Sequence, residues 1–245
     1  MKNNYRFADK VVEVDSIYDA VHILCADYRT DGQADFKVTI SQEDIDLERE
    51  KSQNEDGNSN GTMAEYLDKY LEELAVYRKI AEVMPRYDTI LFHGSAVAVD
   101  GYGYLFAARS GTGKSTHTAL WRDLFGERAV MVNDDKPLLH IAEEVTVYGT
   151  PYDGKHRLSS NIAVPLKAVC ILTRASENTI EPIKKNDAYP MLLGQTYRPA
   201  DPVSMQKTML LIDKLADRVR LYRLGCNMDI SAAETAYNGM NEDNI

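Results

Sequence analysis

The chain has 245 residues, 44% hydrophobic and 27% charged, enough for one substantial domain and a small extra lobe. Its formal net charge of −10 argues against a general nucleic-acid or anionic-membrane surface, because phosphate groups repel such a chain, although a local cationic pocket remains compatible with it. Three scattered cysteines, Cys25, Cys170 and Cys226, show no metal-ligand spacing and suit a reducing compartment; without a signal-like start or a membrane-length apolar run, the expected location is the cytoplasm.

In chain order, VVEV (11–14) predicts a strand, SIYDAVHILCADY (16–28) a helix and DFKVTI (35–40) a second strand. Ser41 precedes an acidic helix start. The stretch 51–61, KSQNEDGNSNG, is polar and glycine-bearing and is expected to be a mobile loop that closes a small N-terminal α+β lobe over residues 1–60. Thr62 and Glu65 have capping-box spacing. Behind them Met63, Tyr66, Leu67, Tyr70, Leu74, Tyr77, Ala81 and Met84 recur at helical intervals, which predicts a packed face.

From Thr89 the texture changes to short strands. TILFHGSAVAVDGYGYLFAA predicts strands around an Asp100–Gly101 turn, followed by AVMVN (129–133), LLHIA (138–142), VTVYG (145–149) and KAVCILT (167–173). Helical patterns near 186–197, 204–217 and 230–240 surround a strand at VRLYRL (219–224). Strands mixed with helices indicate an α/β domain over residues 62–245.

Between the strand YLFAA and the next helix lies SGTGKST, Ser110 to Thr116. Gly111 and Gly113 allow the backbone to turn its N–H groups inward, and the helix adds its positive N-terminal end. Lys114 suits β- and γ-phosphates, Ser115 a magnesium ion and Thr116 the α-phosphate. The usual loop opens with glycine where this chain has Ala108. Only a small residue is needed there, and alanine fails only at positive φ, where a Cβ costs on the order of 1 kcal/mol. ATP binding through Ser110, Gly111, Thr112, Gly113, Lys114, Ser115 and Thr116 is therefore expected.

Asp134 and Asp135 end the strand AVMVN, twenty residues beyond Lys114, enough for one helix and a return strand. One carboxylate can coordinate magnesium while the other accepts a proton from an attacking hydroxyl. His93, in LFHGSA, also ends an apolar strand, where an ordinary structural role is open to it. Lys155, His156 and Arg157 follow a proline–glycine turn; they suit either a solvated loop or contacts with substrate and phosphate.

HGSAVAVDGYGYLFAARSGTGKST followed by VNDDK resembles the kinase core of the HPr kinase/phosphorylase and ATP-dependent phosphoenolpyruvate carboxykinase superfamily, over about residues 91–136. The resemblance implies a P-loop kinase core built on a mixed sheet rather than a doubly wound parallel one. It also implies His93 near the phosphates or metal, Asp134 as general base and Asp135 in the metal shell. Ala108 departs from the family glycine, the chain is short for a carboxykinase, and no counterpart of the HPr kinase C-terminal signature is recognisable. The expected activity is magnesium-dependent transfer of the γ-phosphoryl group of ATP to a hydroxyl of a peptide, protein or small molecule, with His93, Lys114 and Asp134 at the reacting centre. The alternatives are a nucleotide-binding sensor without turnover and, less favoured by length, a carboxykinase-like lyase.

Overall fold

The computed structural model describes residues 1–56, 67–154 and 156–242. It divides into two units, Met1–Val83 and Met84–Ile245.

In the first unit, β1 (Lys2–Phe7) and β2 (Lys10–Asp15) form an antiparallel hairpin through Ala8 and Asp9, both at positive φ. The helix expected at 16–28 is reduced to α1 (Ala20–Leu24) and a 3-10 turn at Ala26–Tyr28. Next, β3 (Phe36–Thr39) pairs in parallel with β2. Helix α2 (Gln42–Asp56) continues through residues 51–56, expected to be loop, because nothing before Gly57 breaks it. The rest of the expected loop, 57–61, the Thr62–Glu65 box, and Met63 and Tyr66 lie outside the described residues.

Helix α3 (Asp68–Val83) belongs to this first unit, although the sequence placed all of it in the second, over residues 62–245. The reason is its packing. Arg78 pairs with Glu48 and Asp44 of α2, Lys79 pairs with Asp44, and the fully buried Glu72 accepts the N–H groups of Ile17 and Tyr18 at 2.6 and 2.9 Å. Its buried face also differs from the predicted stripe: Leu71, Ala75, Val76 and Ile80 join Tyr77 and Ala81, while Leu67 and Tyr70 are exposed.

The second unit is built on a mixed sheet, as expected. Its strands are β4 (Thr89–Leu91), β5 (Ser95–Val99), β6 (Tyr102–Ala107), β7 (Ala129–Asn133), β8 (Leu138–Ile141), β9 (Val145–Tyr148), β10 (Ala163–Arg174), β11 (Thr179–Pro182) and β12 (Arg220–Cys226). The path runs β4-β8-β9-β10-β6-β5-β7, with β12 also on β10 and β11 on β12. Strand β10 joins two halves: residues 163–165 run antiparallel to β9, and the rest runs parallel to β6 and β12. Along β6 and β10 side chains alternate between two cores, as strand geometry requires. Leu105, Ala107, Val169 and Ile171 meet Leu192 of α5 (Lys185–Gln195) and Leu211, Ile212 and Leu215 of α6 (Pro202–Arg218). On the opposite face Tyr104, Phe106, Ala168 and Cys170 meet Trp121 of α4 (Lys114–Phe125) and Ala233 and Ala236 of α7 (Ser231–Asn241). Burial on both faces explains why these strands read as nearly unbroken apolar runs. No helix among the described residues is long and apolar enough to cross a membrane.

Candidate functional site

Strand β6 ends at Ala107, and the chain turns through residues 108–113 into α4. Ala108 is buried beside Phe106 and Trp121, and its φ is not in the left-handed region, so its Cβ adds packing without strain. Gly111 and Gly113 have φ of 75° and 116°, values that favour glycine. A Cβ at Gly111 would meet nothing within 4 Å, and one at Gly113 only Thr116 at 3.9 Å, so the loop borders open space. No side chain caps α4, and its first turn carries no acidic residue. Free N–H groups, open space and a lysine at the first helical position fit a phosphate.

The loop is also braced from outside. Arg174, the last residue of β10, donates from its guanidinium to the carbonyls of Gly111 and Thr112. Ser110, Ser115 and Thr116 are exposed, and Thr112 is half-buried.

Lys114 is half-buried, with Nζ 3.4 Å from His93 Nε2 and 3.5 Å from the Ala108 carbonyl. Burial pulls its pKa down, against the opposing pull of Asp135 and Asp134. His93 Nε2 also lies 3.2 Å from Asp135 Oδ1, and Lys136 Nζ 3.5 Å from Asp135 Oδ2. Burial by itself raises the Asp135 pKa, but the His93 hydrogen bond and the Lys136 charge more than offset it, leaving the carboxyl below its usual range. Backbone pairing sets this geometry: the His93 N–H donates to Gln195 and the Gly94 N–H to the Asp135 carbonyl, at 2.7 and 3.0 Å.

Asn133 shapes the turn that carries both carboxylates. Its Oδ1 accepts the N–H groups of Asp135 and Lys136 at 2.8 and 2.6 Å, while its Nδ2 donates to the Thr150 carbonyl at 3.0 Å. Asp134 is buried and accepts from Ser95 Oγ at 2.7 Å. The structure thus gathers Lys114 and Asp135 around one ring nitrogen of His93, with Asp134 adjoining Asp135. His156 and Arg157 are not drawn into it: both are exposed, and neither side chain forms a hydrogen bond or ion pair among the described residues. Lys155 lies outside the described residues. Among the described residues no group of three or more His, Cys, Asp or Glu gathers as a metal site.

Sequence reasoning missed Ser95, Asn133 and Arg174. Only Asn133 carried a signal, since asparagine before a strand-end turn commonly bonds the backbone two residues on.

A family model described as "SynChlorMet cassette protein ScmC" matches residues 67–231, about two thirds of the chain. The chain belongs to the ScmC family. The match covers every residue of the loop and of the carboxylate turn. No curated protein matches the sequence. Among solved structures, the Hpr(Ser) kinase/phosphatase from Coxiella burnetii is similar at 13% identity and a TM-score of 0.28, over 51% of this chain and 96% of that one.

Proposed function

We propose that this ScmC-family chain is a magnesium-dependent kinase that moves the γ-phosphoryl group of ATP to a hydroxyl on a peptide, protein or small molecule, with residues 84–245 as a P-loop kinase core of the HPr kinase and phosphoenolpyruvate carboxykinase type. One observation carries the reading: Lys114, at the head of an uncapped helix behind two positive-φ glycines, has its Nζ 3.4 Å from His93 Nε2, the same ring nitrogen that lies 3.2 Å from Asp135 Oδ1. A cation, an imidazole and a carboxylate beside a phosphate-sized cradle suit phosphoryl transfer, where positioning and electrostatics do most of the work.

Bound MgATP would supply the transferable group and neutralise its charge. In the chain, the N–H groups of Gly111 and of residues 113–116 and the Lys114 ammonium orient the phosphates, with His93 beside Lys114, while the Thr112 N–H donates to the Arg109 carbonyl at 3.2 Å. The Ser115 hydroxyl and Asp135 are the residues that would hold magnesium, an ion that commonly takes few protein ligands and keeps several waters. Asp134 takes the acceptor's hydroxyl proton as the acceptor oxygen bonds to the γ-phosphorus and the bond to the leaving ADP breaks. The His156 imidazole and the Arg157 guanidinium, without side-chain partners among the described residues, are available to an anionic acceptor.

The test separates binding from chemistry. Lys114→Ala should lose most MgATP affinity by calorimetric titration, because it removes the loop's positive charge. Asp134→Asn should keep that affinity but lose at least ~100-fold in turnover, assayed first as slow hydrolysis by water and then against hydroxyl compounds and serine peptides. Unchanged affinity in Lys114→Ala overturns the loop assignment. A wild type that binds MgATP and transfers phosphate to nothing, water included, is a nucleotide sensor.

A further inference from the structure

Ser95, the first residue of β5, is fully buried and stands between two polar side chains from other elements. Its Oγ donates to Asp134 Oδ1 at 2.7 Å and lies 2.9 Å from Thr118 Oγ1 on α4. Thr118 is buried as well. An ionised carboxylate only accepts, so the single hydroxyl proton of Ser95 belongs to Asp134, and Ser95 then accepts from Thr118. Thr118 has the carbonyls of Lys114 and Ser115 as other outlets, at 3.3 and 3.2 Å, but the contact with Ser95 is shorter. Two hydroxyls in series therefore connect the helix that starts at Lys114 to one oxygen of Asp134, inside a buried environment where such chains reinforce each other.

The other oxygen has a different neighbour. A Cβ built on Gly154 would come within 3.1 Å of Asp134 Oδ2. Gly154 has no positive φ, so its backbone does not demand glycine. What its missing side chain provides is clearance in front of Oδ2.

We propose that Ser95 is a positioning residue: backed by Thr118, it pins Asp134 through Oδ1, so that Oδ2, facing Gly154, is the atom that receives the acceptor's proton. The inference rests on the phosphotransfer reading above. It explains why a serine lies buried at the head of an otherwise apolar strand, SAVAV, and why Asp134, unlike Asp135, takes no part in the His93 and Lys136 contacts.

The experiment measures MgATP affinity, kcat and KM in the full chain for Ser95→Ala, Thr118→Val and Thr118→Ser, and for Ser95→Ala combined with Asp134→Asn. Ser95→Ala should leave MgATP affinity within about threefold and lower kcat about tenfold or more, as expected when a base loses its orientation. Thr118→Val, nearly isosteric, should lower kcat in the same direction, and Thr118→Ser, which keeps the hydroxyl, should restore it. In the Asp134→Asn background, Ser95→Ala should cost nothing further, since it acts only through that carboxylate. A merely structural serine would cost the same in both backgrounds, and that result overturns the inference, as does wild-type kcat in Ser95→Ala. If Ser95→Ala does not fold, the two Thr118 variants decide: equal kcat in both overturns it. A wild type that turns over no ATP overturns the phosphotransfer reading and this inference with it, whereas an active wild type with an unaffected Ser95→Ala overturns this inference alone.

Discussion

Ala108 occupies the position where nucleotide loops usually carry glycine, and its Cβ is packed rather than strained. Changing it to glycine removes a buried methyl and adds backbone freedom to the unfolded chain, costing about 1–2 kcal/mol. Ala108→Gly should therefore bind MgATP like the wild type but melt several degrees lower; a higher melting point would show that alanine is strained there after all. His117, three residues into α4, gives a second prediction. It is buried, accepts from Trp121 Nε1 at 3.1 Å, and leaves its Nδ1 without a partner among the described residues, so it is held neutral, with its pKa pushed down to about 4 by burial. The unfolded histidine titrates near 6.5. Above that pH both states are neutral and the group costs nothing. As pH falls from 6.5 towards 4, the unfolded state takes up a proton that the folded state refuses, and about 3 kcal/mol of stability is lost. His117→Gln keeps an acceptor for Trp121 without titrating. Urea melts at pH 7, 5.5 and 4.5 should show a shallower loss than in the wild type, whatever the offset at pH 7; parallel slopes would exclude His117 as the group responsible.

The loop between β6 and α4 depends on a strand far along the chain, because Arg174 at the end of β10 holds the Gly111 and Thr112 carbonyls. With those carbonyls occupied, the loop is organised before any ligand arrives, and a preorganised loop binds more tightly. Arg174→Gln should weaken MgATP about tenfold while leaving the melting temperature nearly unchanged, since the arginine is exposed. Unchanged affinity by titration would remove it as a brace. This dependence was invisible in the sequence, where Lys114 and Arg174 are separated by a helix and several strands. What the sequence shows well is local. The glycine loop, the strand ends at His93 and Asp134, and helices α6 and α7 follow from spacing and apolar pattern. It shows poorly what tertiary packing decides. The 51–56 stretch is polar in every direction, so periodicity could not reveal it as helix; the face of α3 was misjudged because aromatic Tyr70 points to solvent while charged Glu72 is buried against backbone N–H groups. Strands β1 and β11 are short and largely polar, with little alternation to find.

Each unit buries apolar side chains of its own, and the candidate site is drawn wholly from the second, between His93 and Arg174. A ligand that binds only the native second unit should stabilise that unit by mass action, about 2.7 kcal/mol at a hundred times its dissociation constant. For a unit of this size the shift is about 5–10 °C. The chain contains its own reporters. Trp121 is the only tryptophan and lies in the second unit with buried Cys170, whereas buried Cys25 lies in the first. Heating with MgATP, followed by tryptophan fluorescence and by pulsed alkylation of each cysteine read by mass spectrometry, should raise the Trp121 and Cys170 transitions together. Cys25 should become reactive at the same temperature with or without nucleotide, because nothing in its unit belongs to the loop. If Cys25 protection rises in step, the two units unfold as one cooperative block. If none of the three reporters moves at saturating MgATP, the loop does not bind nucleotide, however well its geometry fits a phosphate.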